Sequence, residues 1–318
     1  MSFFIPSSQL PLRIAWQTTS FFQSDPWNNM SQKEDKLVHT FNGIPFTSGS
    51  SPELLKSLVT FDAREEDVLL VSYPKSGTHW LAEVIMHLYA SKAALTSPIE
   101  FGDVSKLDQL NRLSCKRIIP THLDGNMLPP SFRLQQCKAV YIIRNPKDIA
   151  VSMFHYYKAN PNLPTVDSWP NFLEMFLTGD VVYGSWFDHV LSWEKLIHDK
   201  DTLFLFFEDM KRDLPTVVKK VSTFLGLNTS ESRINDICKK SSFSEMKTNT
   251  EKENHDPNHT VCALTSNRKL IFRKGAIGDW KNHFTPKQNR MFEETFNKKM
   301  AFSEVAKHLV YEYQTMAN

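Results

Sequence analysis

One stretch of the sequence, residues 68–91, constrains the fold more than any other. It reads VLLVSYPKSGTHWLAEVIMHLYAS. Its first four residues are aliphatic and include β-branched valines, which predicts a short strand buried on both faces. Pro74 cannot join a strand ladder and Gly77 can adopt unusual backbone angles, so residues 73–78 predict a tight loop. Apolar residues then recur at helical spacing, which predicts a helix with one face against a sheet.

The loop between this strand and this helix has the features of an anion-binding site. A helix N-terminus that follows a strand collects unpaired backbone N–H groups and the positive end of the helix dipole. Lys75 adds a positive charge, and Ser76 and Thr78 add hydroxyl donors, so the loop can hold a phosphate or a phosphosulfate. It is not a Walker A loop, because the lysine precedes the glycine and the first glycine is absent. That order disfavours a P-loop kinase or NTPase, while an ordinary capped strand–helix turn remains an alternative.

Charge and cysteine spacing exclude several classes of protein. The net charge of the 318-residue chain is +2, so no bulk positive field predicts a nucleic-acid partner or an anionic membrane. No apolar run approaches the roughly 20 residues of a membrane span. The cysteines form no C-x-x-C pair, which disfavours a disulfide framework and a zinc site and favours a reducing, cytoplasmic location. They are Cys115, Cys137, Cys238 and Cys262.

Strand and helix patterns alternate along the chain. Aliphatic runs at residues 117–123, 138–143 and 202–207 predict three further strands, and amphipathic patterns lie between them. We therefore predict a three-layer α/β fold with a central, mostly parallel sheet flanked by helices. Residues 1–40 are predicted to be an irregular N-terminal extension, and residues 41–318 to form a single α/β domain.

The connecting segments carry less specific predictions. Residues 97–113 are expected to be irregular, and a helix is expected to begin near Ile149. A last helix is expected from Thr285 to about Phe302. The polar segment 244–268 is too long for a simple connection and is typical of a lid.

Polar or basic residues follow other predicted strands. His122 ends one strand, at the edge where open α/β sheets bind their ligands, and is a candidate general base. A structural turn histidine is an equally good interpretation. Arg144 follows another strand and Ser152 lies two turns later, so both can face a second anion; a carboxylate partner for Arg144 is the alternative. Arg273 and Lys274, beside a glycine, also suit an anion.

Together these motifs resemble those of the cytosolic sulfotransferases, over most of the chain from about Phe41 to Tyr311. Within that family the FNGIPF segment, residues 41–46, most resembles the 6B branch. The resemblance implies a P-loop-like phosphosulfate-binding loop, 3′-phosphoadenylyl sulfate (PAPS) as the co-substrate, and no metal. The implied ligands of the 5′-phosphosulfate are Lys75, Ser76, Gly77, Thr78, His79 and Trp80. Those of the 3′-phosphate are Arg144, Ser152, Arg273, Lys274 and Gly275, and those around the adenine are Phe207, Phe243 and Met246. Ser241 and Phe272 are further implied ligands of the nucleotide.

The resemblance also implies a mechanism. His122 would take the proton from an acceptor hydroxyl or amine as it attacks the sulfuryl group. Lys75 would stabilise the charge that develops on the leaving phosphate oxygen. Phe101 and Tyr156 are predicted to line the pocket of a small, largely apolar acceptor.

Several residues depart from the usual family pattern. His79 stands where a threonine is usual, Pro120 where a lysine is frequent, and Phe207 where a tyrosine is usual. These changes motivate the alternative that the protein binds PAPS with little or no catalytic activity. The family's dimer motif is altered as well, so a homodimer is a weaker expectation than for other members. Its positions in this chain are Lys281, Thr285, Pro286 and Arg290.

Overall fold

The computed structural model of the protein describes residues 37–90, 92–252, 264 and 270–314. The predicted N-terminal extension lies outside these residues, except that residues 38–40 belong to the first strand. Cys262 and most of the predicted lid segment also lie outside them. The start of that segment, residues 244–252, is helical.

A short hairpin precedes the main sheet. Strands β1 (Val38–Phe41) and β2 (Ile44–Thr47) pair in antiparallel orientation. The turn residues Asn42 and Gly43 have φ angles of 50° and 78°, and positive φ at both positions is what a two-residue type I′ turn requires. Asn-Gly is the pair that most favours such a turn between two strands.

The main sheet has five strands in the described part of the chain, in the order β4-β5-β3-β6-β7. Every neighbouring pair is parallel, which confirms the predicted sheet. The strand β4 was not predicted, because it is too short for a recognisable pattern. The strands are β3 (Val68–Ser72), β4 (Ala93–Leu95), β5 (Lys116–Thr121), β6 (Lys138–Ile143) and β7 (Thr202–Phe206).

The central strand is covered on both faces, as its aliphatic sequence predicts. Every residue of β3 is buried. Leu69 and Val71 belong to the core on one face, and Val68 and Leu70 to the core on the other, because successive strand residues point to opposite faces. Helices close both cores, so the predicted three-layer architecture is confirmed.

The described helices are distributed between the two faces. Buried residues of α2, α9 and α10 share one core with β3, and those of α5, α6, α7 and α12 share the other. The helices are α1 (Pro52–Ser57), α2 (Thr78–Tyr89), α3 (Ser105–Arg112), α4 (Pro130–Leu134), α5 (Pro146–Ala159), α6 (Trp169–Thr178), α7 (Trp186–Glu194), α8 (Phe207–Arg212), α9 (Leu214–Phe224), α10 (Glu231–Lys240), α11 (Phe243–Lys252), α12 (Pro286–Lys299) and α13 (Glu304–Gln314).

Three local expectations were wrong. Helix α5 begins at Pro146 rather than near Ile149, because the Asn145 side chain caps it and proline suits the first turn. Residues 97–113 are not irregular throughout, since they contain α3. The last predicted helix ends at Lys299 and is followed by α13, which was not predicted.

The parallel sheet brings the predicted site residues to one edge. The carboxyl ends of parallel strands lie together, and ligands of open α/β sheets bind beyond them. β3 is followed by the loop that contains Lys75, β5 by His122, β6 by Arg144, and β7 by Phe207. Because β3 lies at the centre, its loop is the middle of this edge.

Candidate active site

The loop after β3 presents unpaired backbone donors. Gly77 has a φ of 110° at the N-terminus of α2, and a Cβ there would lie 2.8 Å from a ring carbon of Phe207. Lys75 also has a positive φ, 71°, which is uncommon for a residue with a side chain and clusters at functional loops. Among the described residues, the N–H groups of Gly77, Thr78 and His79 have no hydrogen-bond partner. With the helix dipole they form an anion-binding nest.

The side chain of Lys75 lies in a cluster of positive charges. Its Nζ is 4.2 Å from the centre of the Tyr156 ring. Burial, and then the charges of Arg144 and Arg273, lower the pKa of Lys75 from 10.5 to about 7. Carboxylates act on Arg144 and Arg273, but in the described part of the chain none compensates the charge of Lys75. A bound anion would do so and would raise the pKa of Lys75 again.

Arg144 connects the loop after β3 with the segment of residues 272–280. Its Nη1 donates to the backbone oxygen of Lys75 at 3.1 Å, and its Nη2 donates to that of Ala276 at 3.0 Å. The guanidinium carbon lies 4.3 Å from the centre of the Phe207 ring. Its buried Nε has no partner among the described residues, so one donor of Arg144 is available to a ligand.

Asp148 fastens residues 272–280 to the start of α5. Its carboxylate oxygens accept hydrogen bonds from the backbone N–H groups of Gly278 and Trp280, at 2.7 and 3.0 Å. Asp148 lies one helical turn after Arg144. The start of α5 therefore positions two parts of the site: Arg144, a candidate anion ligand, and the segment of residues 272–280.

Within residues 272–280, Arg273 and Lys274 both pair with Asp279. Arg273 Nη2 and Lys274 Nζ each lie 2.6 Å from a carboxylate oxygen of Asp279. Burial opposes ionisation of Asp279, but hydrogen bonds from Lys274, Asn282 and Arg273 outweigh it and lower the pKa. The carboxylate therefore stays charged at neutral pH and holds both cations beside Arg144.

His122 has the tautomer that a general base needs. Its Nδ1 lies 2.7 Å from the backbone oxygen of Ser72. Because a carbonyl oxygen can only accept, Nδ1 carries the proton and Nε2 keeps its lone pair. Burial is the main cause that lowers the pKa of His122, so the ring is neutral at pH 7. It packs edge-to-face on Tyr183, with 5.3 Å between ring centres.

A buried carboxylate holds the backbone at the end of β5. Glu100 is 0% exposed, and its two oxygens accept from the His122 N–H at 2.8 Å and from the Thr121 hydroxyl at 3.0 Å. Glu100 was not predicted as a site residue, because a single acidic residue in an irregular segment carries no pattern. Its role is to position His122.

A cavity of about 730 Å³ joins these groups. All predicted site residues line it except Ser76 and Ser241, whose buried hydroxyls lack a partner among the described residues. The lining also includes Val182 and Tyr183, between α6 and α7, which the sequence does not predict as site residues. The predicted residues in the lining are Lys75, Gly77, Thr78, His79, Trp80, Phe101, His122, Arg144, Ser152, Tyr156, Phe207, Phe243, Met246, Phe272, Arg273, Lys274 and Gly275.

Comparison with known proteins shows which family the chain belongs to. Residues 65–304 match the sulfotransferase domain family. The chain belongs to the sulfotransferases. This family is built on the α/β fold described above, so the arrangement of the sheet edge and the loop after β3 is that of a sulfotransferase.

Individual sulfotransferases are similar over most of the chain. The crystal structure of mouse sulfotransferase SULT7A1 complexed with PAP has 57% sequence identity and a TM-score of 0.82, and the match covers 86% of this chain and 99% of that chain. Sulfotransferase 6B1 of Danio rerio is 35% identical, over 88% of this chain and 93% of its own length. Sulfotransferase 1E1 of Cavia porcellus is 39% identical, over 76% and 85%. The predicted likeness to the 6B branch is confirmed.

In the described residues, no group of three or more His, Cys, Asp and Glu side chains could hold a metal ion. No described helix is long and apolar enough to cross a membrane. Cys115, Cys137 and Cys238 are free thiols, in agreement with their scattered spacing.

The altered residues of this sulfotransferase have local roles. Pro120 lies within β5, and its backbone oxygen accepts from the N–H of Ile99 at 3.0 Å. The Phe207 ring supports the guanidinium of Arg144. Thr285 caps α12 through its side chain, with Pro286 as the first helical residue; whether this segment forms a dimer contact stays a prediction.

Proposed function

We propose that this sulfotransferase moves the sulfuryl group of PAPS to a hydroxyl or amine of a small, largely apolar acceptor, with His122 as the general base. One observation carries the proposal. The neutral, correctly tautomeric His122 and the uncompensated Lys75 line the same cavity. A base and an anion-stabilising cation are the two groups that the reaction requires.

The nucleotide would be held at three positions. The free N–H groups of Gly77, Thr78 and His79 suit the 5′-phosphosulfate. The cations Arg144, Arg273 and Lys274, with the hydroxyl of Ser152, suit the 3′-phosphate. The aromatic and apolar residues around the adenine would be Phe207, Phe243, Met246 and Phe272, with Ser241 buried behind them. The PAP complex of the similar mouse sulfotransferase supports this assignment.

The chemical step divides between two side chains. His122 Nε2 accepts the acceptor proton while the acceptor oxygen or nitrogen forms its bond to sulfur. The bond between sulfur and the bridging phosphate oxygen breaks, and its electron pair stays on that oxygen. Lys75 compensates the negative charge that develops there. This chain needs no metal for either role, since both groups are side chains of the cavity.

The walls around His122 favour an apolar acceptor. The Phe101 and Tyr183 rings lie 6.4 and 5.3 Å from the His122 ring, between centres. Tyr156 packs under Lys75, and Val182 lies in the same lining. An aromatic or aliphatic body would displace water from these walls, and its hydroxyl or amine would face Nε2.

The proposed function is tested by binding and then by turnover. The full chain is titrated calorimetrically with 3′,5′-adenosine bisphosphate (PAP), 5′-AMP and ATP. We expect PAP to bind about 100-fold more tightly than 5′-AMP, because charge-assisted hydrogen bonds contribute roughly 1.5–3 kcal/mol each. PAPS is then supplied with phenols, steroids, alcohols and amines. Equal binding of PAP and 5′-AMP would contradict the nucleotide assignment, and tight PAP binding without transfer to any acceptor would favour the alternative of a non-catalytic PAPS-binding protein.

Binding of PAP at pH 8 should be accompanied by uptake of protons. The pKa of Lys75 in the empty site is about 7, so Lys75 is mostly neutral at pH 8. The ligand phosphate, whose second pKa is about 6, is already ionised and raises the pKa of Lys75, so about one proton is taken up. Calorimetry in buffers of different ionisation enthalpy measures this number. Proton uptake should vanish below about pH 6 and in the Lys75→Met variant. Uptake that persists in that variant would show that another group takes up the proton.

A further inference from the structure

His79 occupies a special place at the start of α2. It is the second residue of the helix, and its ring lines the cavity together with Lys75 and His122. Its buried Nε2 has no hydrogen-bond partner among the described residues. A buried polar atom without a partner is destabilising, so this nitrogen needs a partner that the described residues do not supply.

The neighbouring side chains of the first helical turn are already engaged. The Thr78 hydroxyl lies 2.7 Å from the hydroxyl of Ser72, which in turn lies 3.2 Å from His122 Nδ1. The Trp80 ring packs edge-to-face on Phe207, with 5.5 Å between centres. Thr78 is therefore linked to His122 through the Ser72 hydroxyl, and Trp80 lines the cavity.

The charge state of His79 suits a ligand oxygen. Burial, and then the charges of Lys75 and of His122, lower the pKa of His79 to about 3. A neutral imidazole has one N–H donor and one acceptor nitrogen. It can donate to an anion without adding another positive charge to a cluster that already contains Lys75, Arg144 and Arg273.

We propose that His79 donates a hydrogen bond from Nε2 to an oxygen of the transferred sulfuryl group. This inference rests on the proposed function. His79 lines one cavity with Lys75 and His122, and in the proposed function these two groups flank the reacting atoms. His79 thus takes the place of the usual threonine with a longer donor, directed at the sulfuryl end of the nucleotide.

The test compares two nucleotides that differ only in the sulfuryl group. PAPS, without acceptor, and PAP are titrated into the wild type and the His79→Ala, His79→Gln and His79→Asn variants of the full chain. We expect His79→Ala to weaken PAPS about tenfold or more and PAP less than twofold, since hydrogen bonds to charged groups have this magnitude. The glutamine amide reaches the position of Nε2 and should restore most of the PAPS affinity. The shorter asparagine should not.

A second histidine of the same helix provides the control. His87 lies near the end of α2 and pairs with Glu83 at 3.0 Å, away from the cavity lining. His87→Ala changes the helix in the same way and should leave both affinities unchanged. Equal weakening of PAPS and PAP in His79→Ala would place the contact on the 5′-phosphate and overturn the inference, and so would unchanged affinities. Failure of the wild type to bind PAP would instead overturn the proposed function, and this inference with it.

Discussion

Replacing His122 by asparagine is expected to lower kcat for sulfuryl transfer by roughly 10²–10⁴-fold, the usual contribution of a positioned general base. The asparagine amide can still donate to the Ser72 carbonyl, as Nδ1 of His122 does at 2.7 Å, so the end of β5 should keep its conformation. It has no nitrogen lone pair to take the acceptor proton. The loss should therefore appear in kcat, while PAP affinity changes less than about twofold.

The measurement is steady-state turnover of the variant with whichever acceptor the wild type uses, together with PAP titration. His198→Asn is the matched control, because His198 is exposed and its Nε2 contacts Glu304 at 3.2 Å, outside the cavity lining. Wild-type turnover in His122→Asn would exclude His122 as the base. A parallel loss of PAP affinity and thermal stability would show that its role is structural.

Replacing Lys75 by methionine should have opposite effects on activity and on stability. Methionine keeps the packing on Tyr156 but removes the charge, so kcat should fall by about 10²–10³-fold, as when one stabilising donor of a developing anion is removed. Stability should rise, because the wild-type protein holds a half-buried, uncompensated cation at Lys75 whose pKa is lowered from 10.5 to about 7. At about 1.4 kcal/mol per pKa unit, the gain at pH 7 is on the order of a few kcal/mol.

The pH dependence of unfolding distinguishes an effect of the Lys75 charge on stability from an effect of side-chain packing. Between about pH 7 and 10.5 the unfolded chain binds more protons at Lys75 than the folded chain, so wild-type stability should rise with pH there. Denaturant unfolding at pH 7 and pH 9 should show that rise in the wild type and not in Lys75→Met. Lys200→Met, at an exposed lysine, should behave as the wild type. A variant that is less stable than the wild type at pH 7 would contradict the uncompensated cation.

The elements with strong local patterns were predictable. The strand of residues 68–71, the glycine-containing loop and the helix after it follow from periodicity and from the backbone freedom of Gly77. The strand at residues 138–143 was predicted with its observed bounds. In contrast, β4 has only three residues, and α3 lies in a polar segment, so neither shows a pattern long enough to recognise. The start of α5 was predicted three residues too late, near Ile149. The side chain of Asn145 caps the helix by accepting a hydrogen bond from the N–H of Lys147, and apolar spacing does not show this contact.

The candidate site was predictable only in part. Motifs identified the loops that carry Lys75, His122 and Arg144, because each motif is local and follows a strand. Glu100 and Tyr183, which hold and contact His122, come from distant segments without a motif. They were found only in the folded chain, where Glu100 becomes a fully buried acceptor of the His122 N–H group.

The sequence by itself determined the order of the four longer strands of the sheet and the residue types in the loops that follow them, because these depend on neighbours along the chain. Only the tertiary structure determined the protonation state of Lys75 and the tautomer of His122. Burial and the convergence of Arg144 and Arg273 make Lys75 a cation that is easily neutralised, and the Ser72 carbonyl selects the tautomer of His122. Both effects require desolvation and contacts between residues far apart in sequence, which exist only after the sheet has assembled.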